Sequence, residues 1–321
     1  MNAETLEKQL AEFPVAFFVE KFSHELTTAI DRYGFKGAVF GASGGIDSLV
    51  TAALCVKAKQ GRDQWTVMGL QMNDRRIKGE IYNADIYRTL GVNLLSVDIT
   101  ESAVEMERRS HLPSRQLSVY LMKLVLRCTP IRTIRDLTLS VMSGDAPNWV
   151  MSHYRLLTLL HRLRVSKLKA YADRHGHMVL ICANRTEISL GYYVEGGIDD
   201  PNMGDLAPIS GLYKTQVIKT AQFLRLPRRV IKQRPSPGFG GIYDEEIIGP
   251  YEAVDPILIG LELGYSDQEI AKALDSLAHK WTGESHLRKV QSYDAQYVRF
   301  IRKLVKLHST GRHNGKPERR K

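Results

Sequence analysis

Gly41-Ala42-Ser43-Gly44-Gly45-Ile46-Asp47-Ser48 follows a short apolar run, Gly37-Ala38-Val39-Phe40, and precedes Leu49 to Lys59, whose apolar residues recur at helical spacing. The run suits one buried strand, so the stretch is read as a strand–turn–helix loop. Adjacent glycines let successive backbone N–H groups face one concavity, and the helix beginning there adds its positive N-terminal end. A pyrophosphate fits such a place. Gly41, Gly44 and Gly45 leave the backbone room, Ser43 and Ser48 offer hydroxyl donors, and Asp47 can hold the magnesium that accompanies nucleotide phosphates. No lysine follows the glycines, which excludes the G-x-x-x-x-G-K-[ST] loop. A plain glycine turn capped by Asp47 is the alternative, and the agreement of order, strand and helix weighs against it.

Working outward, the 321 residues suffice for a large core, and 43% apolar with 25% charged residues describes an ordinary globular chain. No apolar run reaches membrane-spanning length and Glu4, Glu7 and Glu12 break any signal-peptide pattern, so the cytoplasm is the expected address. Cys55, Cys128 and Cys182 are far apart and read as core thiols; neither a disulfide framework nor a zinc site is expected. The formal charge of +10 is concentrated. Arg299 to Lys321 carries nine Lys or Arg against one acid, and the acid-free stretch Arg108 to Arg135 carries seven. Neither is interleaved with aromatics as a single-strand nucleic-acid surface would be. They read as solvated faces and tails, or as a rim attracting an anionic nucleotide, and nucleic acid is not the expected partner.

Leu6 to Tyr33 reads as a helix ending at Gly34, Thr66 to Met72 as a strand, Glu80 to Leu90 as a helix stopped by Gly91, and Asn93 to Ile99 as a third strand. Strands alternating with helices imply an α/β fold, a doubly wound parallel sheet flanked by helices, with ligands at the carboxyl ends of its strands. Residues 101–155 break this rhythm: basic, interrupted by Pro113, Pro130 and Pro147, and helical over Leu117 to Arg127, they read as an inserted helical segment. A helix from about Ser152 to Arg174 and a strand Met178 to Ala183 restore it, followed by Asn184-Arg185-Thr186-Glu187. Further helices are expected over Leu212 to Leu224, over Tyr251 to Leu277 with a break near Gly264, and over Ser292 to Leu307. With no repeat and no linker, residues 1–321 read as one domain, and 308–321 as a basic mobile tail.

The phosphate loop matches the S-G-G-x-D-S pattern of the N-type ATP pyrophosphatases. Together with Asn184-Arg185-Thr186-Glu187 and Leu212-Tyr213-Lys214-Thr215-Gln216-Val217, it makes the chain resemble the ammonia-dependent synthetase domain of the NAD synthetase family, over residues 15–100 and 156–310. Arg162-Leu163-Arg164, Pro235-Ser236 and Asp244-Glu245 follow in the order of that family's landmarks. The resemblance implies adenylation of a carboxylate by ATP with release of pyrophosphate, then attack by ammonia to give an amide and AMP. It implies ATP and Mg2+ as cofactors, with Asp47 and Glu187 on the metal. Lys214, Arg185 and Ser236 would face phosphate, and Arg162 and Arg164 the acceptor. Asp205 would orient or deprotonate ammonia. It also implies a homodimer, and ammonia taken free or from a separate glutaminase subunit.

The chain departs from the family at several places, most of all between the glutamate turn and Lys214. Where the family has K-Y-G-D-G-G-A-D, this chain has Ile198-Asp199-Asp200-Pro201-Asn202-Met203-Gly204-Asp205, and only the final aspartate is kept. Thr158 replaces a family asparagine and Gly211 an aspartate. The ATP half of the site is therefore expected intact and the acceptor half rebuilt, so that the carboxylate is deamido-NAD or a related acid. Two rivals remain: an enzyme of the same superfamily that adenylates another acceptor such as tRNA, with Cys182 as its thiol, and a non-catalytic relative that only binds ATP.

Overall fold

The computed structural model describes residues 12–77, 82–109, 114–238, 241–281 and 293–310. Four parallel strands, β1 (Gly37–Gly41), β2 (Thr66–Asn73), β3 (Asn93–Asp98) and β4 (Met178–Leu180), form one sheet in the order β3-β2-β1-β4. Both faces are covered, as right-handed crossovers require. Ala38 and Phe40 of β1 join one core with α1 (Val15–Tyr33) and α2 (Ile46–Lys59), built from Phe22, Leu26, Ile30, Leu49 and Leu54. Val39, between them, faces the opposite core with Leu70, Ile99, Leu160, Leu168 and Val179. The period-two alternation of a strand thus assigns one residue to each layer.

α1 stops at Gly34, whose φ of 70° is left-handed, as the sequence predicts. α3 (Ala84–Leu90) stops at Gly91 in the same way. The predicted strand at 178–183 is shorter than expected: after Leu180 its neighbour is irregular chain, with Ile181 N–H donating to Leu206 O at 3.0 Å.

The described residues of 101–155 are almost wholly helical: α4 (Thr100–Arg109), α5 (Arg115–Cys128), α6 (Ile131–Ser143) and the start of the long α7 (Asn148–His175). The segment is anchored at a few points: α4 to α6 bury Ala103, Arg115, Ser118, Ile134 and Met142, while Leu117, Tyr120 and Leu124 are exposed. Met142 enters a second core with α11 (Tyr251–Glu262), α12 (Asp267–Trp281) and α13 (Ala295–Ser309), and the Arg135 guanidinium lies 4.3 Å from the Tyr297 ring centroid. Between β4 and these last helices come α8 (Arg185–Leu190), α9 (Lys214–Phe223) and α10 (Arg228–Ile231). Ser266 and Glu269 form a capping box before α12. α13 runs through Ser309, so residues 308 and 309 of the expected tail are helical, and 311–321 lie outside the described residues. Among the described residues no helix is long and apolar enough to cross a membrane.

Candidate active site

β1 lies between β2 and β4, so chain leaving β1 and chain leaving β4 diverge at their carboxyl ends, where open α/β sheets bind ligands. The phosphate loop leaves β1 there. Gly44 has φ +81°, a conformation that a side chain would strain, while Gly45 is extended and caps α2. Gly41 is close-packed for a different reason: a Cβ there would lie 2.6 Å from Ile198 Cδ1, because the rebuilt acceptor loop rests on the end of β1, so a larger residue would push that side chain aside.

The loop is braced from beneath. Tyr87, fully buried, accepts the Gly44 N–H at 3.2 Å and sits 2.7 Å from Ser48 Oγ, while Ser48 donates to Gly45 O at 2.9 Å. Ser48, only 2% exposed, therefore supports the loop from below; Ser43, exposed and 3.0 Å from Ser48 Oγ, is the hydroxyl at the open face. Tyr87→Phe removes the acceptor of a buried N–H, so it is expected to cost about 1–3 kcal/mol of stability and to raise the KM for ATP. Urea unfolding and initial rates check both.

Beyond the loop, three segments meet on one cation. Lys214, at the start of α9 and with its side chain 3% exposed, pairs with Asp47 Oδ2 and stands 3.6 Å from Glu187 Oε1. Asn184 holds Asp47 Oδ1 at 3.0 Å and forms a capping box with Glu187, which fixes both carboxylates relative to β4. Asp244, 4% exposed, is held by Tyr251 Oη at 2.8 Å and Tyr192 Oη at 3.4 Å. The Tyr251 ring centroid lies 5.1 Å from Lys214 Nζ.

Three carboxylates around one ammonium leave an excess of buried negative charge. Burial raises Glu187 and Asp244 above their ordinary values, and Lys214 only partly offsets it. Burial acts against the charged form of Lys214 too, but Asp47, Glu187 and Asp244 outweigh it and keep the ammonium protonated. Behind this cluster Asp255, fully buried, accepts from Thr186 Oγ1 at 2.5 Å, Thr215 N–H at 2.8 Å and Thr215 Oγ1 at 2.7 Å, and Thr186 Oγ1 in turn accepts the Lys214 N–H at 2.9 Å.

Other expected residues lie elsewhere. Asp205 is outside the cluster: its Oδ2 accepts the Val179 N–H at 2.7 Å, and it lines a cavity of about 480 Å3 with Phe35, Gly176 and His177, which precede β1 and β4 at the opposite edge of the sheet. There it partners the backbone of an edge strand, away from the Lys214 cluster. Arg185 turns away from phosphate, pairing with Glu262 at 2.7 Å over the Tyr213 ring. Ser236 donates to Ile242 O at 2.7 Å and so closes its own loop. Arg162 Nε donates to Glu195 O at 3.2 Å; Arg164 lies near that serine's loop, 3.8 Å from where a Gly238 Cβ would be. Arg155 and Arg162, with Met151, Tyr154 and Thr158 of α7 and Val194, line a cavity of about 120 Å3.

Asn184, Asp244 and Asp255 are the members that reading the sequence missed. The first two stand inside motifs that were noticed, so their position was legible and their role was not. Cys182 is pushed up to about 12 by burial, and Cys128, expected in the core, is exposed.

The fold and the site together define an ATP-using enzyme built on a lysine-free phosphate loop. The NAD synthase family model matches residues 18–120 and 146–295, and leaves out the second half of α5 and the whole of α6. An NH3-dependent NAD+ synthetase of Thermotoga neapolitana is 32% identical, the alignment covering 73% of this chain and 80% of that one. Its counterpart in Methanocaldococcus jannaschii is 28% identical over 79% of this chain and 84% of its own. Among solved structures, an NMN synthetase from Francisella tularensis superposes with a TM-score of 0.63 at 19% identity, covering 95% of this chain and 98% of that one. An NH3-dependent NAD synthetase from Campylobacter jejuni gives 0.60 at 18%, covering 96% and 100%. The chain belongs to the NAD synthase family, whose members are ligases that form carbon–nitrogen bonds.

Proposed function

We propose that the protein amidates deamido-NAD with ammonia at the expense of ATP, which leaves as AMP and pyrophosphate. The arrangement of Asp47, Glu187 and Lys214 at the divergence of β1 and β4 carries this reading. ATP's β- and γ-phosphates would lie on the loop, with Ser43 at its open face. Lys214 would meet the charge that develops on departing pyrophosphate, since stabilising that charge is most of the catalytic task. Asp47 and Glu187 suit magnesium, being hard oxygen donors already converging on one cation. Among the described residues no group of three or more His, Cys, Asp or Glu is placed to hold a metal by itself, so phosphate oxygens and water would complete the shell. The ion would supply positive charge to the phosphates.

Arg155 and Arg162 would take the anionic part of the acceptor above α7, where the loop is braced by Asp199 on His161 at 3.1 Å and by Asp200 on the N–H groups of Gly196 and Asn202. Ammonia would arrive free or from a separate glutaminase, and two copies would pair. The thiol alternative has no support in Cys182, which burial holds in its neutral form.

The test is an assay of AMP, pyrophosphate and NAD from ATP, magnesium, ammonium and deamido-NAD. Asp47→Ala is expected to lower kcat/KM by about a hundredfold or more. NAD formation lost in that variant supports the reading. Intact ATP binding with no turnover sends the search to other carboxylates.

A further inference from the structure

The geometry points to Lys214 as the residue that keeps a divalent cation out of the site until nucleotide brings one in, an inference that rests on the ATP–magnesium reading above. The two carboxylates suited to magnesium, Asp47 and Glu187, are the two that the Lys214 ammonium engages. Every element packed against that ammonium contributes to its hold: α2 through Asp47, α8 through Glu187, the turn Asp244–Glu246 through Asp244, and α11 through the Tyr251 ring. The side chain is 3% exposed, and its backbone N–H is anchored on Thr186 at 2.9 Å. One position thus holds either an ammonium or a metal ion.

The alternation has a physical reason. A hydrated divalent ion arriving alone must displace a buried ion pair and shed water for two protein ligands, with nothing to receive the lysine. A metal–nucleotide complex brings phosphate oxygens that complete the ion's shell and give the ammonium a new partner. Metal and nucleotide therefore enter together, and free magnesium does not occupy the carboxylates between turnovers.

Manganese, read by the loss of its free-ion electron paramagnetic resonance signal, tests this with the full chain. Wild-type protein without nucleotide is expected to leave the signal intact, and to bind one ion once α,β-methylene-ATP is added. Lys214→Met without nucleotide is expected to bind manganese at least about tenfold more tightly than wild type, because Asp47 and Glu187 then lack the ammonium that engages them. Lys214→Arg keeps a cation there and behaves as wild type, and Asp47→Asn added to Lys214→Met abolishes the binding. The inference is overturned if nucleotide-free wild type binds manganese as tightly as with the analogue, a comparison independent of any variant's folding, or if well-folded Lys214→Met binds none. If the analogue binds by calorimetry yet recruits no manganese to wild type, the magnesium reading itself fails, and the inference with it.

Discussion

Lys214→Met is expected to lower kcat/KM for ATP by about a thousandfold or more, the largest effect of any single change in the site. Methionine fills a comparable volume, so the loss reports the charge rather than a cavity. Two nearby arginines among the described residues are engaged elsewhere: Arg185 pairs with Glu262, and Arg162 donates to Glu195 O. Removing it also leaves Asp47, Glu187 and Asp244 uncompensated, at a cost of about 3 kcal/mol in unfolding free energy that manganese is expected to recover. Lys214→Arg separates the two effects. A planar, longer cation restores stability but not the placement of a point charge on pyrophosphate, so the melt returns toward wild type while kcat stays low. Near-normal kcat in a folded methionine variant would remove Lys214 from the chemistry.

The features legible in the sequence were those set by local rules. Gly34 and Gly91 end helices because they adopt left-handed φ, and the β1–loop–α2 unit follows from one apolar run, two glycines and a helical period. What escaped depends on contacts distant in sequence. Asp255 serves Thr186 and Thr215 from another helix, and nothing around it in the chain marks it apart from an ordinary helix acid. Arg185 sits in a matching motif, yet an ion pair with Glu262 decides its direction. Asp205 was the one residue kept in a rebuilt loop, which suggested chemistry; β4 is short, and its edge needs a partner, which Asp205 supplies. The basic run from Arg108 to Arg135 read as a solvated face, and Arg108, Arg109, Lys123, Arg127 and Arg132 are exposed; the exceptions are Arg115, which is buried, and Arg135, which stacks on Tyr297.

Asp255 carries the second large expectation, and here the effect is on stability. Asp255→Ala strands the Thr215 N–H and two hydroxyls in a fully buried place, at an expected cost of about 3–5 kcal/mol by denaturant unfolding. Asp255→Asn isolates the charge. Burial raises the Asp255 carboxyl to about 6, against the pull of the Thr186 and Thr215 donors. The folded protein thus binds this proton more tightly than the unfolded chain, whose aspartate titrates near ~3.9. The group's stabilising contribution is fully present below about pH 4 and is lost as pH rises through about 6. Asparagine does not titrate, so the difference in unfolding free energy between wild type and Asp255→Asn should move by about 2–3 kcal/mol in the variant's favour from pH 4 to pH 7. A difference flat across that range would mean Asp255 ionises as it does in water. Because Thr186 also holds the Lys214 N–H, the asparagine variant that keeps stability but rotates its amide is expected to raise the KM for ATP, tying the buried carboxylate to the placement of the catalytic lysine.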